Sequence, residues 1–363
     1  MSHPDDMNDS LSQLLLDQAE RLFAEHAPRQ VLEAADAGTP PEALWTALEE
    51  AGFPLALVPE EQGGAGLEVA DGMRLVRLAA YHAAPVPLAE TMLAAWLWSR
   101  AGGDPPDGEI TLAPARPGQR AGIAGGILEG TADGVPWGAR ARHCLVFAQD
   151  ASGNPCLALV GAQQRSARPG GRNIAFEPRD RLQFDRVQLA ATALRPAPLL
   201  DSDGFLPLGA ILRSQQMVGA MQRCLDHALG YAGERVQFGR PIAKFQAIQH
   251  MLAVAAGHLA AATAVADMAI DAMTAGETAN GDLALAAAIA KARTGEAAGE
   301  VAAICHQVHG AMGFTQEHPL HYATRRLWSW RDEFGSEPFW QERIGRRVCA
   351  AGGEALWPML AGA

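Results

Sequence analysis

A chain of 363 residues that is 48% hydrophobic and 19% charged is globular, and it is long enough to divide into two or three packed units. Its formal net charge of -12 argues against a broad basic face for phosphate backbones, so neither nucleic acid nor an anionic membrane surface is expected as a partner. Gly 38 and Pro 23 follow no repeat period, which removes the collagen-like and low-complexity classes.

The N-terminus "MSHPDDMNDSLSQ" is acidic and polar, without the basic and apolar regions of a secretory signal. From Leu11 to about Gly102, apolar residues recur at three and four positions (Leu14, Leu15, Ala19, Leu22, Phe23; then Leu44, Leu48, Phe53), with Pro and Gly between blocks. That spacing predicts a cluster of short helices. Between about Glu109 and Leu200, "HCLVFAQD", "NPCLALVGA" and "RLQFDRVQLAA" are short apolar or alternating runs bounded by Gly, Pro, Asn and Asp, as strands are. Beyond Asp201 the helical period returns in long pieces. Leu212, Met217, Met221, Leu225 and Leu229 share a side of the first; Ile248, Met251, Leu252, Ala255 and Leu259 line the second; the third runs from about Asp282 to Val308. Met251 to Ala266 falls short of a membrane span and is expected as an alanine-rich buried helix.

The expected fold is therefore mainly α with a central β domain: an N-terminal helical domain (1–108), a small β-barrel or sandwich (109–201) and a C-terminal helical bundle (202–363). Cys144, Cys156, Cys224, Cys305 and Cys349 are odd in number and widely spaced, without a CxxC pair, and are expected as reduced core residues of a cytoplasmic protein.

Two stretches carry more specific signals. In "ERVQFGRPIAKFQAIQHMLA" (Glu234 to Ala253) a helix ends near Arg235, a Phe-Gly-Arg-Pro turn follows, and Pro241 suits the opening of the next helix. An arginine at such a corner can hold a phosphate bidentately, although an isolated one is usually a surface charge. "HQVHGAMGFTQEHPL" (His306 to Leu320) is a second glycine-bearing turn after a long helix, and Gly310 and Gly313 permit close backbone approach. His306 and His309 lack a third ligand at metal spacing, so no metal is expected.

Together with "LWTALEEAGFPLALVPEEQGGAGL" (Leu44 to Leu67), these stretches resemble the acyl-CoA dehydrogenase family of flavoproteins, in the right order along most of the chain. "QVHGAMGF" is similar to that family's QxxGGxGF segment, and the family's four-helix C-terminal bundle agrees with the helical, β, helical order. The resemblance implies FAD-dependent α,β-dehydrogenation of an acyl-CoA thioester: a carboxylate takes the α-proton, FAD takes hydride from the β-carbon, and electrons leave to an electron-transfer flavoprotein. It also implies an oligomer with FAD at a subunit interface. Arg235 meets the diphosphate with Gln237 and Phe238 beside it, and Gln307 and the Gly310 region line the dinucleotide of the neighbouring chain.

The chain departs from that pattern twice. The family's Thr-Glu-Pro-x-x-Gly-Ser-Asp stretch, which contacts the flavin ring, is replaced by "ITLAPARPGQRAGIAGG"; Trp137 can cover the ring or simply pack. In "WRDEFGSEPFW", Phe334 falls where many members carry the glutamate of Tyr-Glu-Gly-Thr, and Glu333 sits one residue early. Glu333 is the candidate base, with Asp332 as the outside choice. Trp330, Phe334, Phe339 and Trp340 around it are expected to exclude water and raise its pKa. Glu337 is expected as a helix-start charge. The alternative is a catalytically reduced, FAD-contacting subunit of a heteromer with a homologous chain, of the kind used on steroid or other bulky side chains.

Overall fold

The computed structural model describes residues 4–197, 200–274 and 282–361. Five helices come first: α1 (Pro4–His26), α2 (Arg29–Asp36), α3 (Glu42–Glu50), α4 (Val69–Tyr81) and α5 (Leu88–Arg100). Pro28, Pro41 and Pro87 stand at the N-caps of α2, α3 and α5, where no intrahelical hydrogen bond is lost. Every residue of α5 from Leu88 to Ser99 is buried, so this helix is enclosed on all sides and lies at the centre of the molecule.

Eight strands follow: β1 (Ile110–Ala113), β2 (Ala121–Ala124), β3 (Ile127–Pro136), β4 (His143–Asp150), β5 (Pro155–Gly161), β6 (Ser166–Arg168), β7 (Arg179–Gln188) and β8 (Leu194–Pro196). They form one mixed sheet in the order β6-β7-β3-β2-β4-β5-β8, with β1 also paired to β4. β4 takes β1 and β2 as successive parallel partners and β5 as an antiparallel one. Its run Cys144 to Ala148 is buried throughout, as expected of a strand covered on both faces. β7 instead alternates, with Leu182, Phe184 and Val187 inward.

The remaining elements are α6 (Leu206–Glu234), a two-residue hairpin of β9 (Val236–Gln237) and β10 (Arg240–Pro241), α7 (Gln246–Thr274), α8 (Asp282–His309), α9 (Leu320–Trp330), α10 (Glu337–Ala351) and α11 (Leu356–Ala361). α6, α7 and α8 pack on one another, α9 packs on α6 and α8, and α4 packs on α6, joining the first helices to the bundle. Buried alanines (Ala262, Ala266, Ala297, Ala298, Ala302) let the axes approach closely. α7 is less enclosed than expected. Leu252, Ala255, Leu259, Ala262 and Ala266 face the bundle, while Val254 and Met268 are exposed. By length and composition alone α7 could cross a membrane; here one face packs on α6 and α8. Four cysteines are buried, but Cys349 is exposed, because its side of α10 faces outward.

The turn between α9 and α10 is held by a lysine. In the turn that follows α9, Phe334 (φ 52°) and Gly335 (φ 92°) are left-handed, and any side chain at 335 would strike Trp340 and Phe339. The fully buried Lys291 of α8 donates from Nζ to the carbonyls of Arg331 (2.6 Å) and Gly335 (2.7 Å), and Trp340 Nε1 donates to that of Phe334 (3.0 Å). Burial pushes the Lys291 ammonium down to about 7 from 10.5, against the opposing pull of Glu337 and Glu333. The unfolded chain therefore holds this proton over a pH range in which the folded chain has released it, so stability from this group rises as pH increases from about 7 to 10.5. Lys291→Met should remove that rise and leave two carbonyls without a donor, at about 1–3 kcal/mol. Urea titrations of both proteins near neutrality and in mild alkali should show the gap widening in favour of the wild type; a gap that narrows with pH contradicts the assignment.

Candidate functional site

Isolated charges in apolar runs need partners, and two helices carry such charges: Glu90 in "LAETMLAAWLW" of α5 and Arg213 in "LPLGAILRSQQM" of α6. They meet each other. Arg213 Nη2 donates to Glu90 Oε1 at 2.6 Å, with both side chains at most 2% exposed. On its other side Arg213 Nε donates to Glu333 Oε2 at 2.8 Å, and its guanidinium lies 5.4 Å from the Phe334 ring. Arg179, at the start of β7, donates from Nε to Glu333 Oε1 (2.7 Å) and from Nη2 to Glu177 Oε2 (2.9 Å). Glu177 also accepts from Trp330 Nε1 (3.2 Å), and its Oε1 lies 3.1 Å from Arg326 Nε, an ion-pair contact not aligned as a hydrogen bond. Asn173 Nδ2 bridges Glu177 Oε2 (3.1 Å) and Glu333 Oε1 (3.2 Å). Three carboxylates and three guanidiniums thus form one neutral chain through α5, α6, the sheet and α9.

This corrects the expected surroundings of Glu333. The aromatic residues are present, and Phe334 and Trp340 are buried, but both oxygens of Glu333 face arginines. Burial alone would push its carboxyl up; Arg179 and Arg213 outweigh burial and hold it below the ordinary value. Burial likewise acts against Glu177, and Arg326, Arg179 and Arg213 bring it down to about 2. The one-residue offset in the sequence does not act as a rotation on a helix, because α9 has ended at Trp330 and 331–334 are a turn. Phe334 turns inward, Asp332 is exposed, and Glu337 opens α10 with its Oε1 2.5 Å from Arg331 Nε.

Between the sheet and α9 lies a cavity of about 820 Å³, reached by Glu333, Asp332, Phe334, Arg179, Arg181, Arg172 and Arg116. The loop after β1, which replaces the ring-contacting motif, forms part of its wall through Ala115, Arg116 and Pro117. Trp137 lines a different cavity, of about 190 Å³, beside Arg140, Arg172 and Arg326.

The residues singled out at the two helix-end turns lie away from this network. Arg235 caps α6, and its exposed guanidinium has no partner among the described residues. Gln237 pairs with Arg240 in the hairpin, and Phe238, left-handed at φ 53°, is 92% exposed. Gln307 and Gly310 are exposed at the end of α8, and Gly310 (φ 58°) has open space where a side chain would stand. The histidines beside them make local bonds: His306 Nε2 with Thr324 Oγ1 (3.1 Å), and His309 Nδ1 with the Cys305 carbonyl (2.7 Å).

Sequence reasoning reached Glu333 but none of its partners. The available signal was a lone charge inside an apolar helix, which marks Glu90 and Arg213; Arg179 and Glu177 carry no such mark.

The sequence matches the family model described as acyl-CoA dehydrogenase, N-terminal domain, over residues 10–104, and the C-terminal domain of the same family over 203–348. It is 33% identical over 320 residues to the acyl-CoA dehydrogenase IpdE2 of Mycobacterium tuberculosis (strain ATCC 25618 / H37Rv), covering 86% of this chain and 90% of that protein. Among solved structures, the steroid ACAD Tcur3481-Tcur3483 (G363A variant) superposes with a TM-score of 0.82 at 27% identity, covering 95% of this chain and 99% of that one. The ChsE4-ChsE5 complex of Mycobacterium tuberculosis gives 0.81 at 23% identity, covering 93% and 97%. With helices, sheet and bundle in the same order as these proteins, the chain belongs to the acyl-CoA dehydrogenase family, oxidoreductases that act on acyl-CoA.

Proposed function

We propose that this chain is the cofactor-contacting half of a hetero-oligomeric acyl-CoA dehydrogenase, in which a homologous partner holds the thioester and supplies the carboxylate that takes the α-proton. The observation that carries this reading is the clamp on Glu333. A general base works best with a pKa near the operating pH, and two guanidiniums move this carboxyl in the opposite direction. The pairing of two named chains in the steroid ACAD and ChsE4-ChsE5 structures supports a heteromer, and the steroid ACAD supports a bulky acyl group. Electrons leaving to an electron-transfer flavoprotein follow from the same family reading.

The helix-end turns suit the diphosphate of FAD. Arg235 offers an unpaired, exposed guanidinium; Gly310 leaves its backbone open to close approach; Gln237 and Gln307 add exposed amides. When bound, FAD supplies the hydride acceptor for the β-carbon of the thioester. This chain binds and orients the dinucleotide, and Val236 (54% exposed), Phe238 (92%), Met312 (41%) and Phe314 (75%) offer apolar surface on the same turns for the partner to cover.

Expressed alone, the chain should not bleach on anaerobic addition of acyl-CoA; co-expressed with its homologous partner it should give a yellow complex that does. Bleaching by the isolated chain refutes the division of labour. In the complex, Glu333→Gln should leave the rate of flavin reduction per bound flavin within about threefold, whereas loss of a true base costs at least about a hundredfold.

Arg235→Ala should weaken flavin retention on dilution by roughly 1.5–3 kcal/mol, the worth of a charge-assisted hydrogen bond; full retention removes Arg235 from the contact.

The clamp also sets an acid limit. Glu177 and Glu333 sit below their ordinary 4.5, so the stability they contribute is complete above that value and is lost as pH falls toward about 2. Thermal melts from about pH 6 to about pH 3 should fall more steeply for the wild type than for Glu333→Gln.

A further inference from the structure

Five of the chain's eleven histidines, His227, His306, His309, His318 and His321, converge on the turn 310–319 between α8 and α9. The His318 ring, carried by the turn, lies 4.4 Å from that of His309 at the end of α8 and 5.5 Å from that of His227 in α6, and Tyr231 of α6 stacks on His309 at 4.7 Å. His306 stacks with Phe314 of the turn at 4.6 Å and with Trp328 of α9 at 5.6 Å. Backbone partners fix three of the tautomers. A carbonyl only accepts, so His309 Nδ1, 2.7 Å from the Cys305 carbonyl, carries that ring's proton, and His321 Nδ1 does the same toward the His318 carbonyl at 2.8 Å. His318 is the reverse: its Nδ1 accepts from the N–H of Leu320, the first residue of α9, at 3.2 Å, so its proton sits on Nε2. A second proton on His318 must therefore take the lone pair that holds the start of α9.

The surrounding groups disfavour that proton. Burial first, and then His309, His321 and His306, push His318 down to about 4; burial, Arg223, His318 and His309 push His227 down to about 3. Burial also lowers His306 and His309, against the backbone groups of Gly313 on the first and of Cys305 and His227 on the second. It lowers His321 too, where the His318 carbonyl and Asp36 favour charge and Arg325 and Arg29 oppose it. The nearby carboxylates are engaged or face water: Asp226 accepts from Tyr81 Oη (2.9 Å) and Gln222 Nε2 (2.8 Å), and Glu317 is exposed. Arg29 of α2 adds a fixed positive charge, donating to the carbonyls of Glu317 (2.7 Å) and Gln316 (3.1 Å) in the turn itself.

We propose that this histidine cluster is an acid-sensitive latch: with its imidazoles neutral the turn 310–319 stays closed on α6 and α9, and as they take up protons the turn lets go. Once open, the imidazoles titrate near 6.5, above their closed values, so opening takes up protons and becomes easier as pH falls from about 6.5 toward about 4. The same turn carries Gly310, Met312 and Phe314, so its opening weakens cofactor and partner contacts there, a consequence that rests on the function proposed above.

Hydrogen exchange of the full-length chain, read by mass spectrometry without flavin, tests the latch. After correction for intrinsic rates, peptides within 305–322 should open at least about tenfold more at about pH 5 than at about pH 7.5, while the enclosed α5 changes by less than about twofold. In the double variant His227→Gln/His318→Asn, where the asparagine oxygen keeps an acceptor for the Leu320 N–H, the rise should shrink to about threefold or less, and His318→Asn alone should lie between. Protection of 305–322 that does not change with pH, a loss that runs in parallel through α5, or an undiminished rise in the variants would overturn the proposal. The first two outcomes need only the wild-type chain, so the test survives a variant that does not fold. Flavin, thioester and partner take no part in the measurement, so the latch and the division of labour fail separately.

Discussion

Everything around the centre of this molecule is constrained by the need to neutralise Arg213. A guanidinium 1% exposed, in the N-terminal third of α6, is tolerable only if carboxylates reach it, and they come from far apart in the chain: Glu90 from α5 and Glu333 from the turn after α9. Glu333 in turn needs Arg179, Arg179 shares Glu177, and Glu177 needs Arg326. Such a chain adds little net stability compared with a well-packed apolar core, but breaking one link leaves a buried charge, at about 3–5 kcal/mol. Its effect is to fix register. Helices, sheet and bundle cannot slide against one another without separating charges.

The same constraint sets the direction in which the Glu333 carboxyl is shifted. An acid among Trp330, Phe334 and Trp340 alone would be driven toward neutrality and toward usefulness as a proton acceptor. With Arg179 and Arg213 in contact, the balance between burial and Coulomb attraction tips the other way, and the carboxyl is held below its ordinary value. Composition around the residue reads the same in both cases; the difference lies in two arginines that are distant in sequence.

That distance explains which parts were legible beforehand. The helical period of α6, α7 and α8, the strand texture of 109–200 and the Arg235 corner all arise from neighbours within a few residues. The two helix-end turns were found because glycine and proline act locally. The clamp joins residues 120 and 154 positions apart in the chain, and no local pattern records it. The outward face of α7 was missed for a similar reason: alanine is as compatible with an open surface as with a close helix contact, so its abundance did not say which face was covered.

The chain thus divides its polar chemistry. Every charge of the central network is ion-paired, and Glu90 Oε2 and Arg326 Nε are its buried atoms without a hydrogen bond. Groups without hydrogen-bond partners occur in both places: Arg235 and the open backbone at Gly310 lie at the surface on the helix-end turns, while Arg165 Nε, His306 Nδ1 and His309 Nε2 are buried. Low dielectric makes a buried charge interaction strong, and water screens an exposed one. The guanidinium of Arg235 therefore gains most of its strength toward an anion only when something covers the turn that carries it.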